Sequence, residues 1–312
     1  MADRERWSVS PVDEAGLAAL LGRATEAAHS ERAIELTSHR RVLVTGAGGS
    51  IGSELVGQLV ALGATAVYLL DHDEAGLYAL QLGLTGRALL DEPTVVLADV
   101  REESTMRSVL RDIHPDVVFH AAAHKHLPLL ERFPAEAVRA NVVGTRNVVR
   151  AAIEAGVHTV VNISTDKAAN PISALGATKR IAERVVAAAA HRGTRLASVR
   201  FGNVLGSRGS LLPTVRHQVR KNVPITITDG AATRYFLTVS EAASLLIEVA
   251  AMADCGETYV LDMGAPVSIV TLVRRYARLC GARDGHPVVL TGLRPGEKRH
   301  EDLLEEHEER SS

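Results

Sequence analysis

Residues 42–52 read VLVTGAGGSIG, an apolar run that leads into a glycine-rich turn. The apolar run at 41–45 predicts a β-strand, and the spacing of apolar residues over 50–62 predicts a helix directly after the turn. A strand, a glycine turn and a helix N-terminus in this order can cradle a pyrophosphate, because the free N–H groups of the helix attract it and glycine lets the backbone approach. The residues predicted to hold a dinucleotide at this turn are Gly46, Gly49, Ser50, Ile51 and Gly52.

Asp71, at the end of the next predicted strand, strengthens this interpretation. It stands 19 residues after Gly52, where the carboxylate of a dinucleotide-binding fold accepts hydrogen bonds from the adenosine ribose. The same carboxylate would repel a 2′-phosphate, so the sequence predicts NAD rather than NADP. The alternative is a tight turn in an α/β protein that binds no nucleotide. The combination of strand, turn, helix and acid disfavours that alternative.

The composition is that of a globular chain and excludes several functions. Of the 312 residues, 46% are hydrophobic and 23% are charged, and a net charge of −2 offers little to a nucleic acid. Cys255 and Cys280 have no CxxC neighbour, which argues against a disulfide framework and a zinc site. The apolar stretch 185–190 is far shorter than the about 18 residues of a membrane span. We therefore expect a cytoplasmic protein without a membrane span.

From residue 40 onward, predicted strands and helices alternate. The strand segments are nearly continuous apolar runs, as in a parallel sheet that is covered on both faces. They lie at 41–45, 66–71, 94–99, 116–120, 158–163 and 195–200. This alternation predicts an α/β fold with a doubly wound parallel sheet, the Rossmann arrangement. We divide the chain into an N-terminal helical preface (1–39), an NAD-binding Rossmann domain (40–200) and a smaller C-terminal substrate-binding lobe (201–312).

Candidate cofactor contacts follow the third and fourth predicted strands. Asp99 and Val100 are expected near the adenine ring. Ala121 and Ala122 would let the cofactor pass close to the backbone, although simple close packing explains these alanines equally well.

Histidines and a lysine cluster after the fourth predicted strand, in the sequence HAAAHKH at 120–126. No Asp, Glu or Cys completes a ligand set at a useful spacing, so we expect no metal site. Lys125 and His126 either face the cleft as cations that bind the substrate or belong to a solvated loop.

The fifth predicted strand ends in Ser-Thr-Asp-Lys at 164–167. A carboxylic acid and an amine side by side at the carboxyl end of a strand can serve both sides of an elimination. The alternative is a polar turn that leads into Asn170-Pro171. In the next helix, Leu175 and Lys179 share a face, and a lysine there can hold the nicotinamide ribose and lower the pKa of a neighbouring group.

Several segments together resemble one protein family. They are Thr45–Gly52, His120–Pro128, Asn141–Thr145, Ile163–Pro171, Gly176–Arg180, Val199–Gly209, Thr233–Phe236 and Gly292–Glu301. The chain resembles the extended short-chain dehydrogenase/reductases, and within them the polysaccharide-biosynthesis branch of nucleotide-sugar 4,6-dehydratases that act on UDP-N-acetylglucosamine. The strings STDKAANP and RPGEK set this branch apart from ordinary epimerases. The preface resembles the linker that precedes the soluble domain in membrane-anchored members.

The resemblance implies a role for each matching residue. Asp166 would protonate the departing hydroxyl at carbon 6, and Lys167 would remove the proton at carbon 5. The residues implied to hold the nucleotide diphosphate and ribose are Asn203, Arg208, Arg234, Arg294 and Glu297. Guanidinium groups suit this task because they are planar and permanently charged. One bound NAD would take a hydride from carbon 4 and return it to carbon 6, giving a 4-keto-6-deoxy sugar nucleotide.

The chain departs from the superfamily signature, which is Tyr, three residues, Lys. Leu175 holds the Tyr position, where some members that retain the configuration at carbon 5 carry Met. The family likeness then suggests Thr165 as the acceptor of the carbon 4 hydroxyl proton. Two alternatives stay open: a 4-epimerase of the same substrate, and a nucleotide-binding subunit that lost its chemistry with its Tyr.

Alanine-rich predicted helices around 134–155 and 173–191 favour a homodimer. Small residues permit close packing of helices, and extended members of this superfamily often pair through the equivalent helices. We therefore expect a homo-oligomer whose small-molecule partners are NAD and a UDP-sugar.

Overall fold

The computed structural model describes residues 14–24, 29–190, 193–306 and 308, so part of the predicted preface lies outside the described residues. The helices are α1 (Glu14–Leu21), α2 (Glu31–Thr37), α3 (Ser50–Ala61), α4 (Glu74–Thr85), α5 (Glu103–Ile113), α6 (Leu127–Arg132), α7 (Pro134–Ala137), α8 (Gly144–Glu154), α9 (Ala174–Ala188), α10 (Leu211–Arg220), α11 (Val239–Met252) and α12 (Ile269–Leu279). None of these helices, over the residues just given, is long and apolar enough to cross a membrane.

The strands alternate with the helices over most of the chain. They are β1 (Arg41–Thr45), β2 (Ala66–Asp71), β3 (Val95–Leu97), β4 (Val117–His120), β5 (Thr159–Ile163), β6 (Arg195–Arg200), β7 (Asn203–Leu205), β8 (Ile225–Ile227), β9 (Thr233–Arg234), β10 (Phe236–Thr238), β11 (Thr258–Val260), β12 (Val267–Ser268) and β13 (Val288–Leu290). The strands predicted up to residue 200 are all present, with ends that differ by at most about two residues, as expected for terminal positions.

The centre of the fold is a seven-stranded parallel sheet in the order β11-β6-β5-β4-β1-β2-β3. The winding reverses at β1, because β2 and β3 lie on one side of it and β4 to β6 on the other. In such a sheet a ligand binds at the carboxyl ends of the strands on either side of the reversal, here β1 and β4. The predicted doubly wound parallel sheet is confirmed.

Strand β1 shows why both faces of the sheet carry helices. Val42 and Val44 pack in a cluster with residues of α3 and α11, whereas Leu43 packs with residues of α5 and α8. All three side chains are fully buried. Since successive side chains of a strand point to opposite faces, a continuously apolar strand is stable only with a helix layer on each side.

The C-terminal half of the chain also contributes to the sheet layer. β11 pairs in parallel with β6, and α11 packs against α3. The separate lobe has its own apolar core between α10 and α12, into which the leucines of α1 also pack. The segment 201–312 therefore serves both the sheet and the lobe, and the division of the chain at residue 200 stays a prediction.

A π-helical turn, Val138–Val143, interrupts the long helix formed by α7 and α8. Such turns are often found at functional sites. The buried Asn141 in this turn accepts the backbone N–H of His124 at 2.9 Å and donates to the hydroxyl of Thr178 at 3.2 Å. The turn therefore ties the loop after β4 to α9.

Candidate active site

The glycine turn after β1 lies close against the chain at the end of β4. Gly46 has a φ of +69°, and a Cβ on it would lie 2.6 Å from the backbone nitrogen of Ala122. A Cβ on Gly52 would lie 2.2 Å from the carbonyl oxygen of Gly46. Gly49 caps α3 without a side-chain hydrogen bond, which leaves N–H groups of the first turn, at Ser50 and Ile51, for a phosphate. The turn therefore fits a dinucleotide pyrophosphate.

Asp71 fastens this turn to the end of β2. Its Oδ2 accepts the N–H of Gly48 at 2.9 Å, and its Oδ1 accepts the N–H of Asp73 at 3.0 Å. Each oxygen retains a lone pair for a ribose hydroxyl. A groove of about 810 Å³ lies at the same end of the sheet and is lined by His72, Asp73, Glu74, Ala75, Tyr78, Leu90 and His124. Its volume is within the range of small-molecule sites.

Asp99 forms an ion pair with Arg101. The closest nitrogen and oxygen of the pair are 2.6 Å apart, and the hydrogen bond from Arg101 holds the pKa of Asp99 below its usual range. Val100 packs beneath Gly144, where a Cβ would lie 2.9 Å from the Val100 side chain. The adenine contacts assigned to Asp99 and Val100 stay a prediction.

Two buried basic side chains lie between the strand ends. Nδ1 of His120 is 2.7 Å from the hydroxyl of Thr45 and Nε2 is 3.0 Å from that of Thr145, and burial lowers the pKa of His120 to about 3. Lys179 donates from Nζ to the carbonyl of Ile163 at the end of β5, and burial lowers the pKa of Lys179 to about 8. His120 is therefore neutral at physiological pH and positions the strand ends. In the sequence, His120 stands out only as part of the histidine cluster at 120–126.

A 3₁₀ turn, Asp166–Ala168, follows β5 and sets the predicted acid and base side by side. Asp166 is fully buried, and its Oδ1 accepts hydrogen bonds from the hydroxyl of Thr165 at 3.0 Å and from Nζ of Lys167 at 2.8 Å. Nζ of Lys167 also lies 3.5 Å from Oδ1 of Asn203. The structure thus brings together four of the residues that the sequence assigned to chemistry and substrate.

Glu301 completes this cluster, although no role for it is predicted from the sequence. Its Oε1 lies 3.5 Å from Nζ of Lys167 and 3.9 Å from Nε of Arg234, and its side chain is almost fully buried. Glu301 ends the string Gly292–Glu301 on which the family resemblance rests. A carboxylate next to the cations of that string was the available signal, but only the fold shows that it meets Lys167.

The predicted substrate residues of the lobe are arranged in two ways. Arg234 is buried, and its guanidinium donates to the carbonyls of Lys298 at 2.7 Å and Arg299 at 2.8 Å. Arg294 is exposed and donates from Nε to Glu297 at 3.1 Å. Arg234 therefore holds the backbone of the segment Gly292–Glu301 in place. Arg294 has guanidinium N–H groups that remain available to a phosphate. The phosphate contacts predicted for both arginines stay predictions.

Lys125 and His126 lie on the path between the sheet and the lobe. Nζ of Lys125 donates to the carbonyl of Arg208 at 2.8 Å, and the backbone N–H of Arg208 donates to the hydroxyl of Ser50 at 2.9 Å. A Cβ on Gly209 would lie 2.6 Å from the His126 ring. These contacts connect the glycine turn after β1, the loop after β4 and the C-terminal lobe. The predicted cofactor and substrate residues therefore lie next to one another.

Leu175 is buried in a small apolar cluster with Leu130 and Ala137. It lies one helical turn before Lys179, in the position where the superfamily signature has Tyr. A buried leucine contributes packing but no proton acceptor. Over the described ranges, no group of three or more His, Cys, Asp or Glu side chains is arranged to hold a metal ion.

Comparison with known proteins agrees with this geometry. A family model described as polysaccharide biosynthesis protein matches residues 42–312. The chain belongs to this family. It is 43% identical over 294 residues to the probable polysaccharide biosynthesis protein EpsC of Bacillus subtilis, covering 93% of this chain and 49% of EpsC. The chain spans about half the length of the curated relatives that it matches first.

Solved structures identify the fold of this family member as that of the extended short-chain dehydrogenase/reductases. Pen from Bacillus thuringiensis superposes with a TM-score of 0.79 at 33% identity, covering 86% of this chain and 84% of Pen. DesIV from Streptomyces venezuelae, a dTDP-glucose 4,6-dehydratase with NAD and TYD bound, superposes with a TM-score of 0.72 at 25% identity, covering 84% of this chain and 88% of DesIV. The resemblance inferred from the sequence is confirmed at the level of family and fold.

Proposed function

We propose that this polysaccharide-biosynthesis family member is a nucleotide-sugar 4,6-dehydratase that uses bound NAD and acts on UDP-N-acetylglucosamine. The observation that carries the proposal is the contact between Asp166, Lys167 and Thr165 at the end of β5, beside a turn that fits a dinucleotide. NAD would supply the hydride acceptor for carbon 4 and the hydride donor for carbon 6. The NAD bound by DesIV, which has the same fold, supports this cofactor.

The cofactor would lie along residues at or just after the carboxyl ends of β1, β2 and β4 and on a residue of α9. Gly46, Gly49, Ser50, Ile51 and Gly52 would hold its pyrophosphate and Asp71 its adenosine ribose. Ala121 and Ala122 would line its path across the ends of β1 and β4, with Lys179 at the nicotinamide ribose. Because the Asp71 carboxylate accepts two backbone N–H groups, it is held in a position from which it can also accept ribose hydroxyls.

The geometry offers a proton path for the first stage of the reaction. Because Leu175 cannot ionise, another group must accept the proton of the carbon 4 hydroxyl. The hydroxyl of Thr165 donates to Asp166 at 3.0 Å, so a proton taken up by Thr165 can pass on to the Asp166 carboxylate. Asp166 then carries the proton that the departing carbon 6 hydroxyl needs. The proton of the first stage thus leaves in the water molecule of the second.

Lys167 is the group that would take the carbon 5 proton. A ketone at carbon 4 acidifies this proton, and Nζ of Lys167 lies 2.8 Å from Asp166, on the same short turn. Asp166, the acid, and Lys167, the base, would therefore act from the same turn. Elimination across carbons 5 and 6 needs both of them. The remaining substrate contacts would come from Lys125, His126, Asn203, Arg208, Arg234, Arg294 and Glu297.

A mass spectrum of the reaction with UDP-N-acetylglucosamine tests the proposal directly. Dehydration lowers the mass of the sugar nucleotide by one water. A 4-epimerase leaves the mass unchanged and yields a new isomer, and a non-catalytic nucleotide-binding subunit yields nothing. An unchanged substrate with this and other UDP-sugars contradicts the dehydratase proposal.

We also propose a homodimer formed through α8 and α9 and their surroundings. Val138, Ile172 and Ile181 are exposed apolar side chains in this region. Exposed apolar side chains next to alanine-rich helices suit a contact with a second copy of the chain. We also propose that the protein is located in the cytoplasm.

A further inference from the structure

The surroundings of Lys167 present a difficulty for its proposed role. Nζ lies 2.8 Å from Oδ1 of Asp166 and 3.5 Å from Oε1 of Glu301. Burial works to lower the pKa of Lys167, but attraction to these two carboxylates outweighs it, and the pKa is raised. An amine that carries a proton cannot accept another one from carbon 5. The resting cluster is therefore an ion pair in which the base is blocked.

The first stage of the proposed reaction changes this balance. When Asp166 receives the carbon 4 proton, Lys167 loses the nearer of its two negative partners. Its ammonium then faces the Glu301 carboxylate, and among the described residues these two carboxylates are the acidic groups paired with it. We propose that Glu301 accepts the proton of the Lys167 ammonium at this point and thereby frees the amine that elimination requires. This inference rests on the proposed dehydratase function.

The step balances without any further reactant. An N–H bond of Lys167 breaks and an O–H bond on Glu301 forms, so that a carboxylate and an ammonium become a carboxylic acid and an amine. The amine takes the carbon 5 proton, the resulting ammonium exchanges its protons with solvent, and it delivers a proton to carbon 5 when hydride reduces the double bond between carbons 5 and 6. Glu301 then gives its proton back to Lys167. Glu301 acts through Lys167 and is in this sense a positioning residue.

The surroundings of Glu301 suit a carboxyl group that gains and loses a proton. Burial raises the pKa of Glu301 against the attraction of Lys167, Arg234 and Lys298, and this effect of burial remains when Asp166 carries a proton. Its Oε2 is buried and has no hydrogen-bond partner among the residues described here. A buried carboxyl group with an unoccupied oxygen accepts a proton more readily than one whose oxygens are all bonded.

The backbone on both sides of Glu301 is anchored, which keeps its carboxyl group near Lys167. On one side Arg234 binds the carbonyls of Lys298 and Arg299. On the other side the fully buried Arg200 donates to the carbonyl of Leu303 at 2.8 Å, and Arg180 pairs with Glu305. The anchors come from the lobe, from the end of β6 and from α9, so the position of Glu301 depends on all three.

A labelling experiment on Lys167 tests the inference without depending on turnover. The full chain with NAD is treated with trace acetic anhydride over a series of pH values, and acetylation of Lys167 is measured by peptide mass spectrometry. In Glu301→Gln, labelling should rise at lower pH than in the parent protein, by roughly tenfold at a given pH for each unit by which the Lys167 pKa falls. Glu301→Asp keeps the charge and should stay closer to the parent.

Glu305→Gln is the matched control. It loosens the same segment at Arg180 but removes neither of the two carboxylates that pair with Lys167. It should lower stability while the Lys167 labelling curve and the pH profile of turnover stay as in the parent. If the labelling curve shifts equally in Glu305→Gln and Glu301→Gln, the effect comes from loosening the backbone around Glu301 and not from its carboxylate. That result would overturn the inference.

Turnover supplies the second measurement. In Glu301→Gln, the Lys167 ammonium has no carboxylate to take its proton, so kcat should rise with pH through the Lys167 pKa that the labelling curve gives for that variant, with KM for the UDP-sugar little changed. In the parent, kcat should not follow the Lys167 labelling curve, because Glu301 takes the proton within the site. An unchanged labelling curve, or an unchanged pH profile of kcat in an active enzyme, contradicts the inference. A parent protein that converts no UDP-sugar defeats the dehydratase proposal instead, and the labelling curves still show whether Glu301 controls the protonation of Lys167.

Discussion

The nucleotide cradle and the acid–base cluster lie at the same end of the sheet but are built differently. The cradle is mostly backbone from one stretch of chain, Gly46 to Gly52, fixed by a single carboxylate on the next strand. The cluster is made of side chains from distant segments, with Glu301 meeting Asp166 and Lys167 only in the folded state. A backbone site tolerates changes of side-chain chemistry but no added volume. A side-chain cluster tolerates changes of volume but no lost charge or proton.

The largest effect is expected from removing the proton-transfer groups of the cluster. Asp166→Asn and Lys167→Ala should each lower the rate of elimination by about 10²–10⁴-fold, the usual contribution of a positioned acid or base. Calorimetric affinity for NAD should stay near that of the parent, because the cradle is untouched. In heavy water the parent should place one deuterium at carbon 5. Near-normal rates in both variants would show that this pair does not carry the chemistry.

Thr165→Val keeps the shape of the side chain and removes the hydroxyl that donates to Asp166 at 3.0 Å. We expect the rate to fall by about a hundredfold, the lower end of what a proton-transfer group contributes. Thr165→Ser keeps the hydroxyl and serves as control. Stopped-flow absorbance of the reduced nicotinamide should locate the loss in the first stage. Turnover of Thr165→Val as fast as the parent would exclude Thr165 from the proton path.

The cradle should instead respond to one added methyl group. Gly52→Ala would place a Cβ 2.2 Å from the carbonyl oxygen of Gly46, so the turn has to move, and we expect a loss of NAD affinity of about tenfold or more in calorimetry. Gly57 lies in the same helix with nothing within 4 Å of its added Cβ. Gly57→Ala should leave affinity unchanged and stabilise the protein by about 0.5–1 kcal/mol. Equal effects of the two substitutions would contradict the cradle geometry.

His120, which contacts Thr45 next to the cradle, gives a pH dependence of stability. Its pKa is about 3 in the folded chain, against about 6.5 when unfolded, so the unfolded state binds more protons between these values. The parent should therefore lose stability as pH falls below about 6.5, by roughly 2 kcal/mol at pH 5 from this group alone. Urea unfolding of His120→Gln should show a shallower loss. An identical loss in both proteins would mean that His120 is not held neutral.

The smallest effect is expected at Leu175. Leu175→Met roughly conserves volume in the apolar cluster with Leu130 and Ala137, so stability should change by less than about 1.5 kcal/mol and turnover hardly at all. Thermal unfolding and the steady-state rate measure this. A strong loss of turnover in Leu175→Met would indicate that the side chain contacts the substrate and shapes the site more closely than packing requires.

The contrast between the two regions also explains what the sequence could predict. The cradle, Asp71 and the alternation of strands follow from local spacing, and the doubly wound parallel sheet follows from that alternation. The pair Asp166–Lys167 was predictable because neighbours in sequence share a strand end. Glu301 was not, since its contact with Lys167 depends on how the lobe folds back. Likewise His120 could not be read as a buried neutral imidazole, because its hydroxyl partners come from β1 and α8.

Strand β11 has a consequence for how such a chain is made. The outer edge of β6 remains open until residues 258–260 have been synthesised and have crossed over to pair with it. An open strand edge is a template for pairing with another chain, so a nascent or truncated chain that ends near residue 200 carries a surface prone to aggregation. Residues up to 260 must therefore be synthesised before the outer edge of β6 is protected from pairing with another chain. Strand β11 thus covers an edge of the sheet that stays open until late in synthesis.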